Sequence, residues 1–415
     1  MLTQRVLEAS RNRDRVLDAV KAIALLVVII GHSLAWHIRP DGSPVNVLEE
    51  EHGLIVLTWL FQVLPLFFAA GAVSNQASLA RHGRTRYLQA RGTRLLAPVV
   101  VYATFWTVLL FPLHAIGVGR FLAQLLWFAG VYLVVAAAAV FTTRWINRPA
   151  RSLGLWLALI VAVDLLRLTP LEGLGWINML LVWGWLHQVG YYLPELKNRR
   201  TLPAGIALIA AAVALAFAGP YSVSLISVAG IPGLSNLAPP STVLALFGAG
   251  QILVLAGLWP TLEKALKNDR LWTGIALIGA RGMGMYLWHI PLVGLAAGAA
   301  ILLGFDAAPL SPAWWAVHLL VVAVVVPTAW LLAGVAAIPE KWLKGLHGHA
   351  WPGWGAVLGG FAVLNMAATG FGTWWGAGAA GLPSSAAVNL VAVLTAYWLV
   401  SPARRPPSPS GMPLM

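Results

Sequence analysis

The chain has 415 residues, of which 59% are hydrophobic and only 10% charged, and its mean hydropathy is +0.79. A soluble protein of this size needs far more charge on its surface, so the composition excludes a soluble globular chain and indicates a polytopic membrane protein. There is no cysteine, which removes disulfides, thiolate catalysis and Cys-ligated metals.

The net charge of +13 is spread over short loops between apolar spans. Membrane topology requires that pattern, so it is not read as a nucleic-acid-binding surface.

Residues 1–16 are polar and basic (Arg5, Arg11, Arg13, Arg15) and read as a cytoplasmic segment with a short interfacial helix. No cleavable signal is expected, because the apolar run that follows is too long and lacks an A-x-A-like site. That run, 17–36, is LDAVKAIALLVVIIGHSLAW, long enough to cross a bilayer as a helix. Asp18, Lys21 and His32 do not belong in such a helix. Lys21 and His32 are about three turns apart, on one face and about 16 Å along the axis. Ionisable side chains on one stripe of a membrane helix are costly unless they face protein or water, and their default reading is functional.

The loop 37–53 carries Asp41, Glu49, Glu50 and Glu51, with Arg39 as its one cation. Span two is expected at 54–73, then a strongly basic loop at 75–94. Spans three to six follow at about 95–113, 121–141, 153–168 and 174–191. Span seven is placed at 202–218, ahead of an uncharged connection at 219–240 rich in Gly, Pro and Ser. Span eight is expected at 242–259. Span nine lies within 271–303, a stretch too long for one simple span, so part of it is tilted or interfacial. Span ten is placed at 314–337, and two more near 354–371 and 386–400. The Pro/Ser-rich tail, 401–415, is expected to be disordered.

With the N-terminus inside, every even-numbered connection is basic, and the odd-numbered ones hold only Arg39, Arg120 and Arg167 as cations. The fold class is therefore all-α, a polytopic membrane helical bundle of about twelve spans with both termini cytoplasmic. The high Ala, Gly, Val and Leu content hints at a GC-rich bacterial source, and so at the bacterial cytoplasmic membrane.

Five stretches together resemble the acyltransferase-3 family, membrane-bound enzymes that O-acylate sugars and some natural products. LDAVKAIALLVVIIGHS (17–33) is similar to the family's opening helix, in which Arg or Lys precedes a functional His with ten residues between them. LPLFFAAGAVSN (64–75) resembles its second-span pattern. RGTRLLAP (91–98) matches an R-x-x-R pair entering span three. MYLWHIPLV (285–293) resembles a late-span motif ending in His-x-Pro, and IPEKWL (338–343) a Glu closing the tenth span. The likeness covers about 15–343. It implies a membrane domain at 17–343 with ten family spans. The chain departs from the family in two respects: two additional spans are expected within 344–400, and no appended hydrolase-like domain with a second Ser-His site, of the kind some relatives carry, is expected.

The resemblance implies acyl-CoA, acetyl-CoA in the simplest case, as co-substrate, with no permanently bound cofactor. It implies a hydroxyl of a carbohydrate or glycosylated natural product as acceptor. His32 is the candidate general base: O-acylation removes a hydroxyl proton as oxygen attacks a thioester, and an imidazole titrates in the right range. The bland alternative is a His that glues two helices.

Lys21 either meets a CoA phosphate, pairs with Asp18 one turn back, or snorkels. Arg91 and Arg94 suit the CoA phosphates by bidentate binding, although topology alone puts cations there. Trp288 and His289, two residues before Pro291, read either as the wall of a pocket on a kinked helix or as an interfacial belt. Arg281, two turns before His289, is a second candidate cation for the donor or an interfacial residue. Glu340, near Lys341 and Lys344, reads as structural support. His187, His318, Asp164 and Glu172 are taken as ordinary bundle polar residues. His347 and His349 are a weak metal cue, and no metal site is expected.

The competing reading is a twelve-span secondary transporter or a flippase. Transporters of that plan show repeated halves with matching broken helices. The Lys-x10-His of span one has no counterpart near span seven, which is wholly apolar.

Overall fold

The computed structural model describes residues 2–11, 13–197, 200–348 and 351–403. Arg199, His349 and the tail from 404 onward, to which the disorder expectation mainly applied, lie outside the described residues. The chain is helical almost throughout. It begins with α1 (Leu2–Ala9) and α2 (Arg15–Leu34), followed by a hairpin of β1 (Trp36–Ile38) and β2 (Pro44–Asn46). Then come α3 (Ile55–Phe61), α4 (Leu64–Leu110), α5 (Ile116–Ala123), α6 (Leu126–Thr142) and α7 (Pro149–Leu166). The middle holds α8 (Asn178–Gly190), α9 (Leu193–Leu196), α10 (Leu202–Ala218), α11 (Thr242–Ala265) and α12 (Asp269–Ala280). The last helices are α13 (Gly282–Leu302), α14 (Pro312–Lys344), α15 (Pro352–Thr369) and α16 (Ala386–Val400). A second two-stranded pair, β3 (Gly376–Ala377) with β4 (Pro383–Ser384), joins the last two helices.

Among the described residues seven helical segments are long and apolar enough to cross a membrane. Others that the sequence marks as spans are shorter: α8 has 13 residues, α10 has 17 and α16 has 15. The chain divides into two compact units, which do not follow chain order. The first takes 1–81 and 138–335, the second 82–137 and 336–415.

Three expectations about individual spans change. Span two is not one helix. It breaks at Gln62, whose ψ of 85° leaves the helical region, and resumes at Leu64. Pro65 is the local cause: it has no amide hydrogen to bond back to the Phe61 carbonyl, and it is accommodated in the first turn of the helix that resumes at Leu64. The carbonyl freed at Gln62 accepts from Gln251 Nε2 at 2.8 Å, and the Gln62 side chain donates from Nε2 to the Leu225 carbonyl at 3.1 Å. Irregular backbone at membrane depth survives when protein groups satisfy it in this way. The basic stretch expected as a loop at 75–94 is helical on both sides of Gly83, the one residue there with φ of +70°. Glycine is suited to that left-handed turn. Finally, the over-long span nine resolves into α12 and α13, separated at Arg281.

In the first unit α2 starts on a cap: the Asp14 carboxylate accepts from the amides of Val16 and Leu17 at 3.0 and 3.1 Å. Its 20 residues give about 30 Å of helix, the depth of a bilayer core. Helix α12 lies against α1 and α2, tied by Trp272 Nε1 donating to Ser10 Oγ at 2.9 Å and by Arg15 bonding the Leu266 carbonyl and Asp269.

The connection at 219–240 is ordered and largely inward-facing. Leu225 donates its amide to Thr58, and Trp59 donates to the Val223 carbonyl. Asn236 donates to the carbonyls of Ser222 and Ser224. Three connections, around 47–54, 226–228 and 305–310, share a small apolar core built on Val47, Leu48, Ala307 and Trp314.

In the second unit α15 packs against α16 and α5. Glycines make this possible. A side chain at Gly359 would meet Leu96, Ala396 and Leu133 at 3.0–3.2 Å. Half-buried Asn365 and buried Thr369, Ser384 and Asn389 form a hydrogen-bond set that fastens α15 to α16.

Candidate functional site

His32 occupies the last turn of α2, and His289 lies in the interior of α13. Their rings meet: His32 Nδ1 is 3.1 Å from His289 Nε2, with centroids 5.2 Å apart. The sequence placed them 257 positions apart, and only the packing of α13 against α2 unites them. His289 is fully buried, with its Nδ1 against the Met285 carbonyl at 3.2 Å. His32 is only half-buried. Gly31, beside it, leaves room for the Phe61 ring of α3, which would lie 3.1 Å from a β-carbon there. Tyr286 flanks His289, with ring centroids 6.0 Å apart.

Helix α13 continues unbroken through buried Pro291, whose missing amide leaves the Leu287 carbonyl without its helical donor. Trp288, half-buried, shares the turn with His289.

Lys21 donates to Ser74 Oγ of α4 at 2.7 Å, and that hydroxyl donates to the Ala70 carbonyl. Asp18 is engaged by Arg13, Nε to Oδ2 2.6 Å, which gives it a partner other than the Lys21 expected from the i,i+3 spacing.

Arg281 turns toward α14. Its guanidinium lies 3.5 Å from the centroid of the Trp330 ring and donates to the Trp330 carbonyl at 2.9 Å. Gly334 makes the slot, since a β-carbon there would come within 2.8 Å of the guanidinium. The arrangement fastens α13 to α14, a structural role alongside the donor-binding one expected.

Arg91, Arg94 and Glu340 belong to the second unit. The Arg91 guanidinium lies over the Tyr87 ring at 6.0 Å, and Arg94 is exposed. Glu340 is buried, with Lys344 Nζ at 3.9 Å.

Sequence reasoning passed over Ser74 and Asn75, although both close the quoted LPLFFAAGAVSN stretch. Asn75 is fully buried and its amide meets His187 Nε2 at 3.1 Å. His187 packs edge-on to Tyr191, which bonds Thr142 at 3.1 Å. Two consecutive polar residues ending an apolar span were the available signal.

Asp164 is a structural anchor. It accepts from Arg167, Asn178, Tyr221 and both the amide and hydroxyl of Thr242, at 2.7–3.1 Å. Burial, followed by the nearby Asp164 charge, pushes the Tyr221 phenol up to about 12. In the connection after β1, hydrogen bonds from Ser43 hold the Asp41 carboxyl below its usual range. His318 stacks on Trp314 at 3.8 Å, and both its ring nitrogens lie 2.8 Å from carbonyls, of Trp314 and Trp36. It thereby ties α14 to the strand that leaves the His32 end of α2.

The site is thus a pair of imidazoles between two membrane helices, with a lysine on the same face of α2. No curated protein and no solved structure matches the chain. The family model described as an acyltransferase domain, Acyl_transf_3, matches residues 14–334. That range holds Lys21, His32, Arg91, Arg94 and His289, and stops short of Glu340. Because the match spans well over half of the chain, the protein belongs to the acyltransferase-3 family and is an integral-membrane acyltransferase.

Proposed function

We propose that the protein transfers an acyl group, acetyl in the simplest case, from acyl-CoA to a hydroxyl of a carbohydrate or glycosylated natural product, with His32 as general base. The observation that carries the reading is His32, half-buried in the last turn of α2 with its imidazole held against a second imidazole. An imidazole there can take a hydroxyl proton without first losing one.

Arg91 and Arg94 supply guanidinium groups of the kind that bind diphosphates bidentately, and Lys21 adds an ammonium on the His32 face of α2. By charge distribution the basic segments and both termini face the cytoplasm of a bacterial cell, and His32 falls toward the opposite side. With His32 on that side, either the pantetheine arm of the donor reaches deep or the acyl group is handed across.

The test is transfer of labelled acetyl from acetyl-CoA by the purified full chain, with membrane extract as acceptor, in the parent protein and in His32→Ala. Transfer by the parent and a fall of at least about 100-fold in the variant is the expected result. Equal label in both removes His32 as the base. No transfer with several acyl-CoA donors, together with solute uptake in vesicles, replaces the enzyme reading with a transporter.

A further inference from the structure

The contact between His32 and His289 fixes where the protons sit. Nδ1 of His289 lies 3.2 Å from the Met285 carbonyl, and a carbonyl only accepts, so that nitrogen carries the hydrogen. In the neutral ring Nε2 is then bare. That bare nitrogen is the one 3.1 Å from His32 Nδ1. Two bare nitrogens at this distance would repel, so His32 Nδ1 carries a hydrogen and donates it, with the Val28 carbonyl one turn back as a further acceptor beside the ring. The lone pair of His32 is left on Nε2. Burial differs in the same sense: His289 is 0% exposed, whereas His32 is only half-buried as a residue.

We propose that His289 is the positioning residue for His32. It holds the His32 ring in the tautomer with hydrogen on Nδ1, so that Nε2 is the atom that takes the acceptor's proton. The inference rests on the transferase reading above. In the step, the acceptor O–H bond breaks and its proton passes to His32 Nε2. The oxygen forms a bond to the acyl carbon, the thioester C–S bond breaks with its electron pair going to sulfur, and the proton on His32 passes to the departing thiolate. His289 gains and loses no proton. It accepts from Nδ1–H before and after, a part usually played by a carboxylate or a backbone carbonyl behind a catalytic imidazole. A neutral imidazole does this without adding a fixed negative charge at membrane depth, where charge is costly. The Met285 carbonyl in turn fixes the tautomer of His289, so the chain of three groups ends on backbone that does not titrate.

Two readouts test it on the full chain in lipid nanodiscs. The first is nitrogen NMR of histidine-labelled protein, with the two rings assigned from the spectra of His32→Gln and His289→Gln. The expected spectrum has His32 protonated on Nδ1 and bare on Nε2 in the parent, and a mixture of tautomers in His289→Leu. A parent spectrum with the His32 hydrogen on Nε2 overturns the proposal, whether or not the protein transfers acyl groups.

The second readout is kinetic. His289→Leu is expected to lower kcat by about 100-fold with KM for donor and acceptor unchanged, as loss of a correctly oriented general base does. His289→Gln, whose amide oxygen accepts from the same Nδ1–H, is expected to recover most of that loss. An unchanged kcat in His289→Leu, or no recovery in a folded His289→Gln, overturns it. A parent protein that transfers nothing from any acyl thioester sinks the transferase reading, and the spectrum still decides the tautomer.

Discussion

At the scale of single residues, the ionisable groups within the membrane helices are engaged by named partners. His32 meets His289, Lys21 meets Ser74, and Asp164 gathers four side chains around one carboxylate. A polar group left without a hydrogen-bond partner in lipid is costly, and these contacts lower that cost. The Asp164 set also reaches a group outside the spans, Tyr221, and so makes a pH prediction. Tyrosine in an unfolded chain ionises near pH 10, whereas Tyr221 in the fold ionises near about 12. Between those values the unfolded chain has lost the proton and the folded one keeps it, so stability falls as pH rises. The contribution is fully present below about pH 10 and is lost through about pH 12. Melting temperature against pH in detergent is expected to drop across that window in the parent. Tyr221→Phe is expected to show a smaller drop, from a lower starting value because the bond to Asp164 is gone. An identical alkaline profile in both would remove Tyr221 as the source.

At the scale of elements, apolar periodicity located most of the helices, but small residues decided how they pack. Helices α10 and α11 approach through Gly205 and Gly250: a β-carbon on Gly250 would lie 2.7 Å from Ile209 and 2.8 Å from the Gly205 carbonyl. Without a hydrophobic drive between helices in lipid, close backbone approach of this kind supplies the association. Gly250→Val is therefore expected to destabilise the first unit by about 1–3 kcal/mol, as overpacking does. Thermal unfolding of the detergent-solubilised variant against the parent checks it, and an unchanged melting temperature would mean that α10 moves away freely. The break between α3 and α4 belongs to the same scale. A hydropathy window reads 54–73 as continuous, because Gln62 is one polar residue among apolar ones. The turn exists because Pro65 follows and because Gln251 is present to satisfy the freed carbonyl.

At the scale of the whole molecule, the open quantity is sidedness, and the absence of cysteine makes it measurable. Single cysteines can be introduced with no background. Ser43→Cys lies in the turn of the β1–β2 hairpin, and Arg84→Cys in the basic helical stretch just after Gly83. With both termini inside, a membrane-impermeant maleimide added to intact cells is expected to label Ser43→Cys, and Arg84→Cys only after permeabilisation. The reverse pattern would invert the topology and place His32 near the cytoplasm.

The membrane class, the first helix with its Lys-x10-His face and the family were legible in the amino-acid sequence. Each depends on local composition or on spacing along one helix, which fixed helical geometry converts directly into position. The motif around His289 was visible as well, as a pocket wall in preference to an interfacial belt, but without the residue it would meet. The packing of α13 against α2 decided that it faces His32, because a contact across 257 residues leaves no trace in the period of either helix. In the same way Arg281 read as a candidate donor-binding cation or an interfacial residue, and only the slot at Gly334 revealed that its guanidinium lies on Trp330. Lys21 found Ser74, 53 residues away, on a helix whose polar end the sequence showed without saying what it met. Sequence determined which side chains were too polar for their surroundings; the tertiary structure decided which of them satisfy one another.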